Sequence, residues 1–315
     1  MEKHRMPIII TGAGGFVGRH LVAKLVGAGK DVVAMDSSVH GIAAGARIVA
    51  GDICAPEVRG EALRDGCSAL VHLATVPGGA AEADPAASRR VNIDAMYDLL
   101  LEAAAAAGKR PRVVYASSIA VLGDPLPEAG VDDTTPLAPR MIYGGHKAMM
   151  EDAVAMMHHR GEVEGVTLRL PGILARPKGP SGMKSAFMSD LFHAMRAGEP
   201  FICPVSPEAA IWAQSVDRCA DNFIHALTMD AGLLPPTRAV TLPALRVSIG
   251  ALAEEIARQC GVSAALVRYS PDEALEAGFG RQPPLATPAA DRAGFAHDGS
   301  VATLVKNALA VIAGG

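Results

Sequence analysis

A doubly wound α/β fold with a parallel sheet, completed by a smaller C-terminal subdomain, is predicted by three observations. The chain opens with an apolar β-branched run at residues 8–11 that ends in glycines and passes at once into an amphipathic segment. Strand-length apolar runs then alternate with helix-length segments to about residue 172, the pattern of right-handed βαβ crossovers. Beyond that point the alternation breaks, and Gly/Pro-punctuated loops separate shorter elements. The expected division is residues 1–172 for the sheet domain and 173–315 mainly for the subdomain, with about 213–262 returning to the sheet domain.

The first strand and helix are joined by Gly12, Gly15 and Gly18, with Phe16 and Val17 between the last two. Glycines permit a tight turn and close backbone approach, and the free amides and positive dipole end of the following helix suit a pyrophosphate. The second strand, residues 31–36, ends in Asp36, placed to hydrogen-bond an adenosine ribose and to repel a 2′-phosphate. A third strand (46–50) runs into Gly51-Asp52-Ile53, a helix follows over 57–64, and the fourth strand, 69–74, contains His72, which reads as a core histidine. The loop at 75–79 then lies at a strand C-terminus, where such sheets bind ligands.

A long alanine-rich helix is expected over 86–107 with Asn92 near its start, then a strand over 112–116 stopping at Ser117-Ser118. A second long helix, 139–160, carries Tyr143 and Lys147, four residues apart and so on one face. A phenol titrates near pH ~10 and is a poor base at neutrality unless a cation stabilises the phenolate, a charge that Lys147 can supply. The serine at the strand end can hydrogen-bond the same substrate oxygen.

These segments resemble the extended short-chain dehydrogenase/reductase family, also called the NAD-dependent epimerase/dehydratase family. The resemblance spans TGAGGFVG at 11–18, Asp36, GDI at 51–53, HLAT at 72–75, Val91-Asn92, SSIAVLG at 117–123 and YGGHK at 143–147. It implies a Rossmann fold and NAD as cofactor, with Ser118 rather than Ser117, Tyr143 as proton acceptor and Lys147 as its partner forming the catalytic set. Cofactor contacts are implied for Gly12, Gly15, Phe16, Val17, Gly18, Asp36, Asp52, Ile53, Leu73, Ala74, Thr75, Asn92, Tyr143, Lys147 and Pro171. The resemblance also implies a homodimer packed through the two long helices.

Two departures narrow the reaction. Ser118 is followed by Ile119-Ala120 where dehydratases of the family carry an acidic pair, and the sixth strand runs into Pro171-Gly172 rather than the Phe-Asn pair usual in nucleotide-sugar epimerases. The phrases at 76–84, 168–173 and 198–204, with Trp212, resemble the branch that dehydrogenates D-erythronate, implying oxidation of a small sugar acid at C2. The basic loop 175–185 offers Arg176, Lys178, Lys184 and Ser185 for a carboxylate, with Thr75 and Ser118 as further substrate contacts. A sugar or nucleotide-sugar 4-epimerase and a non-catalytic NAD sensor are the competing readings. The sensor has no need of a base.

The 29 Lys and Arg against 33 Asp and Glu, net −4, give no reason to expect nucleic acid or a membrane surface as partner. Five scattered cysteines without a CxxC argue against a disulfide framework and a zinc site. No catalytic metal is expected, and a reducing cytoplasm fits.

Shorter elements are expected in the second half: helices over 186–197, 216–229, 248–259 and 300–312, strands over 238–242 and 266–269, and an irregular stretch over 282–288.

Overall fold

The computed structural model describes residues 6–123, 125–178 and 184–313, with only the backbone described at Lys184 and Ala313. The strands run β1 (Ile8–Thr11), β2 (Val32–Asp36), β3 (Arg47–Ala50), β4 (Ala69–His72), β5 (Arg112–Ser118), β6 (Glu164–Leu170), β7 (Gly172–Ile173), β8 (Phe201–Cys203), β9 (Ala210–Gln214), β10 (Ala239–Thr241), β11 (Leu245–Ser248) and β12 (Val267–Tyr269). Seven of them form one parallel sheet in the order β10-β6-β5-β4-β1-β2-β3. The chain therefore winds outward in both directions from β1 and β4. That switch point opens a crevice at the strands' C-terminal ends.

The helices are α1 (Phe16–Gly27), α2 (Pro56–Leu63), α3 (Gly78–Ala83), α4 (Pro85–Arg89), α5 (Met96–Ala106), α6 (Ile142–His159), α7 (Phe187–Ala197), α8 (Val216–Thr228), α9 (Ile249–Cys260), α10 (Glu273–Phe279), α11 (Pro288–Arg292) and α12 (Val301–Ala313). Strand alternation divides the sheet's side chains between two cores. Ile10, Ala34, Val71 and Val114 face α1 and α8, whereas Ile9, Val33, Leu70 and Val113 face α5 and α6. Lys24 ties α1 to α8 through Asp217 and Asp221, both at 2.6 Å.

A further core, built on Phe187, Leu191 and Phe192 of α7, Ile256 of α9 and Leu304 of α12, forms the subdomain with the sheet β11-β9-β7 and the pair β12-β8. Trp212 of β9 packs with Val121, Leu122 and Val131 beside it.

Several expectations needed adjustment. The helix expected at 86–107 is α4 and α5 joined by a π-helical turn, Arg90–Ala95, that contains Asn92. The expected loop at 75–79 already includes the start of α3. Of residues 213–262, α8 and β10 join the central sheet's layers, but β11 and α9 belong to the subdomain core. The two-residue β7 carries no legible pattern of its own, because its neighbour β9 lies about forty residues away.

Candidate active site

The glycine turn is shaped by clashes that a side chain would cause. Gly12 has φ +68° and a Cβ there would lie 2.6 Å from the Ala74 amide nitrogen; a Cβ on Gly18 would lie 2.1 Å from the Gly12 carbonyl oxygen. Gly14, which the motif reading passed over, is as constrained, its Cβ falling 1.8 Å from the Ser38 carbonyl oxygen. Gly15, by contrast, is exposed and meets only the Gly12 carbonyl at 3.1 Å, leaving the outer side of the turn open. It starts α1 without a side-chain cap, and the first turn of α1 holds no acidic residue. An uncapped helix N-terminus behind a cradle of glycines fits a pyrophosphate.

Asp36 closes the cradle from β2. Its carboxylate accepts from the Gly14 amide and the Ser38 amide, both at 2.9 Å, which fixes it at the end of the strand. Asp52 is turned to its own loop, accepting from the Cys54 amide at 2.9 Å, and Ile53 is buried beside it.

The end of β4 is held by two buried clamps. The Thr11 hydroxyl accepts from the Leu73 and Ala74 amides at 3.3 Å each and pairs with His72 Nδ1 at 2.9 Å. Burial, with Lys147 adding to it, pushes His72 down to about 3, so its ring is neutral. Asn92 is 3 % exposed; its Oδ1 accepts from the Val76 amide at 2.7 Å and the Thr75 hydroxyl at 3.0 Å, and its Nδ2 donates to the Val76 carbonyl at 3.0 Å and Ser88 Oγ at 3.1 Å. The structure thus spends both ends of the Asn92 amide on shaping the loop that carries Ala74 and Thr75.

Alternation along β5 separates the two serines. Ser117 turns into the core and donates to Glu151 at 2.5 Å, and Glu151 is gripped by Arg169, with Nη2 at 2.7 Å. Ser118 faces the crevice, caps the turn Ile119–Leu122 by accepting from the Ala120 amide, and hydrogen-bonds the Tyr143 phenol. Gly144 allows this contact: a Cβ there would lie 2.4 Å from the Ala120 carbonyl oxygen. The N-terminus of α6 is fixed by Glu82 of α3, which accepts from the Ile142 amide at 2.7 Å. Glu82 gave no sequence signal, because its partner is sixty residues away.

Burial holds the Tyr143 phenol above its ordinary value, and the Ser118 hydrogen bond and the Arg176 guanidinium offset this in part. Lys147 is buried, donates to the Ala116 carbonyl at 2.7 Å and lies over the Tyr115 ring at 4.8 Å. Burial pushes Lys147 down to about 7, offset in part by Glu151. Arg176 thus acts on the phenol as a charge, and Lys147 Nζ lies 5.6 Å from the centre of the Tyr143 ring.

The basic loop contributes unequally. Arg176 is half-buried and interacts electrostatically with Tyr143, whereas Lys178 is exposed. Ser185 is half-buried in the turn Lys184–Ala186, while the Lys184 side chain and residues 179–183 lie outside the described residues. Pro171 is buried between β6 and β7. Among the described residues no group of three or more His, Cys, Asp or Glu could hold a metal ion, and no helix is long and apolar enough to cross a membrane.

Known proteins resemble this chain in sequence and in fold. The sequence profile of the NAD dependent epimerase/dehydratase family matches residues 8–214. D-erythronate dehydrogenase of Cupriavidus necator is 35% identical over 272 residues, covering 81% of this chain and 82% of that protein. The Haemophilus influenzae D-erythronate dehydrogenase is 30% identical over 264 residues, 81% and 83% of the two chains. Among solved structures, the nucleoside-diphosphate-sugar epimerase from Agrobacterium tumefaciens superposes with a TM-score of 0.88 at 29% identity, covering 98% of this chain and 95% of that one. The chain belongs to the NAD-dependent epimerase/dehydratase family and is an NAD-dependent oxidoreductase.

Proposed function

We propose that the protein oxidises a small sugar acid, D-erythronate or a close relative, at C2 to the 2-keto acid. The observation that carries this reading is the Ser118 hydrogen bond to the Tyr143 phenol, on which the Arg176 charge also acts. In a 2-hydroxy acid the carboxylate is one bond from the reacting carbon, so the group that binds it must lie close to the base. Arg176, whose charge acts on the Tyr143 phenol, is the cation we assign to that carboxylate, and the two D-erythronate dehydrogenase relatives support the same substrate class.

NAD, when bound, supplies the hydride acceptor. Ser118 orients the C2 hydroxyl, Tyr143 receives its proton, and Arg176 favours the phenolate needed for that transfer. Lys147 holds the Ala116 carbonyl at the end of β5 and adds positive charge beneath the ring. For the cofactor, the same reading assigns the pyrophosphate to the turn Gly12 to Gly18 with the Phe16 and Val17 amides, and the adenosine ribose to Asp36. Asp52, Ile53, Leu73, Ala74, Thr75 and Pro171 supply further contacts, and Asn92 acts through the Thr75 loop. Exposed apolar side chains on α5 (Tyr97, Leu101) and α6 (Met149, Met156) form the face through which two copies pair, and sedimentation as a stable monomer would remove that homodimer. We place the protein in the cytoplasm, where its five free thiols stay reduced.

The test is NADH formation from D-erythronate and NAD, with erythritol, which has the hydroxyls but no carboxylate, as control. Net NADH with the acid alone is expected. A flat trace with four-carbon aldonates would sink the reading, and interconversion of two sugars without net NADH would identify an epimerase.

A further inference from the structure

Arg176 is presented by an unusual backbone. The preceding residue, Ala175, is buried and adopts φ +59°, a left-handed conformation that costs a non-glycine residue about 1 kcal/mol or more. Such a conformation persists only where its surroundings impose it. Here Leu174 is pinned to β9 by its amide bond to the Gln214 carbonyl at 3.1 Å. On the other side, both backbone groups of Arg176 are taken by α7. Its N–H donates to Ser189 Oγ at 3.1 Å, and its carbonyl accepts from His193 Nε2 at 2.7 Å.

Ser189 and His193 are four residues apart and so share one face of α7. The same helix is anchored in the subdomain core by Phe187, Leu191, Phe192 and Met195, and Ser189 is itself buried. A carbonyl oxygen only accepts, so Nε2 of His193 carries the proton in this bond. Two directional bonds to consecutive polar groups of one peptide segment fix both its position and its rotation. Packing of α7 has no need of such a device, since its apolar face already holds it.

We infer that Ser189 and His193 are positioning residues for substrate recognition: α7 uses them to lock the left-handed Ala175–Arg176 segment so that the Arg176 guanidinium stands beside Tyr143 to receive the substrate carboxylate. The inference rests on the sugar-acid reading above. It makes α7, a subdomain helix, a determinant of which anions are oxidised in the sheet crevice.

The experiment is a double-mutant cycle on the full-length enzyme, measured with D-erythronate and NAD. His193→Phe removes the donor while keeping a planar ring, and lowers kcat/KM for the acid about tenfold with the KM for NAD unchanged. His193→Gln, whose amide reaches the same carbonyl, restores most of the loss. In an Arg176→Gln background, adding His193→Phe costs less than about twofold more, because the lost bond acts through Arg176. Fully additive losses, or a His193→Phe enzyme that matches wild type, would overturn the positioning role. An Arg176→Gln enzyme with unchanged kcat/KM would instead overturn Arg176 as the carboxylate's partner. A wild type inert toward four-carbon aldonates would overturn the sugar-acid reading, and the inference with it.

Discussion

The ammonium nitrogen of Lys147 lies 5.6 Å from the centroid of the Tyr143 ring, one helical turn along α6, and points its proton at the Ala116 carbonyl. The lysine thus serves the end of β5 and the phenol together. Tyr143→Phe, which keeps the ring and removes the proton acceptor, is expected to lower kcat by about 10³-fold with NAD affinity retained. Lys147→Met is expected to lose about 10²-fold or more and to weaken NAD binding too. Steady-state rates with calorimetric titration of NAD check both.

Acid should destabilise the fold through buried His72 and half-buried His158. His72 is held down to about 3 and His158 to about 4 by burial, with neighbouring cations adding to the effect. An unfolded chain protonates both near 6.5, so it binds protons that the folded chain refuses. Their contribution is complete above pH ~6.5 and is lost as pH falls toward their folded values. The melting temperature should fall from pH 7 to pH 5, and His72→Asn should flatten that slope. An unchanged slope in the variant would refute the assignment.

Asn92→Ala removes four hydrogen bonds around Thr75, Val76 and Ser88 in a buried site. The expected cost is about 3 kcal/mol of stability, read from denaturant unfolding. Because the loop carries Ala74 and Thr75, NAD affinity should fall alongside.

Gly18→Ala places a methyl group 2.1 Å from the Gly12 carbonyl, a backbone atom that cannot step aside cheaply. The helix must move off the turn, at about 1–3 kcal/mol. NAD affinity should drop at least about tenfold, because the free amides of α1 move with it. The expectation for Gly15→Ala is milder, since its Cβ has room outward.

The sheet domain was legible because each of its signals is local. The glycines, Asp36, the Ser117-Ser118 strand end and the Tyr143–Lys147 spacing each sit within a few residues of the element they define. Choosing Ser118 over Ser117 came from the family pattern, and the alternation of β5 gives the physical reason. What stayed hidden depends on partners far along the chain. Glu82 under α6, Glu151 between Ser117 and Arg169, and Ser189 with His193 beneath Arg176 have no pattern of their own. The basic loop was visible as charge, yet charge could not rank Arg176 above Lys178. The left-handed Ala175 has no composition signal at all, since alanine marks no turn.

The return of α8 and β10 to the central sheet means that the two lobes are woven rather than strung in series. A single nick after Gly172 would release no intact half: the first piece would lose the strand covering β6 and the helix covering α1, and the second would carry both as orphans. Exchange of substrate lobes between relatives, by recombination or by design, therefore requires several matched junctions. A crossover at one point would leave an open sheet edge, the template from which aggregation grows.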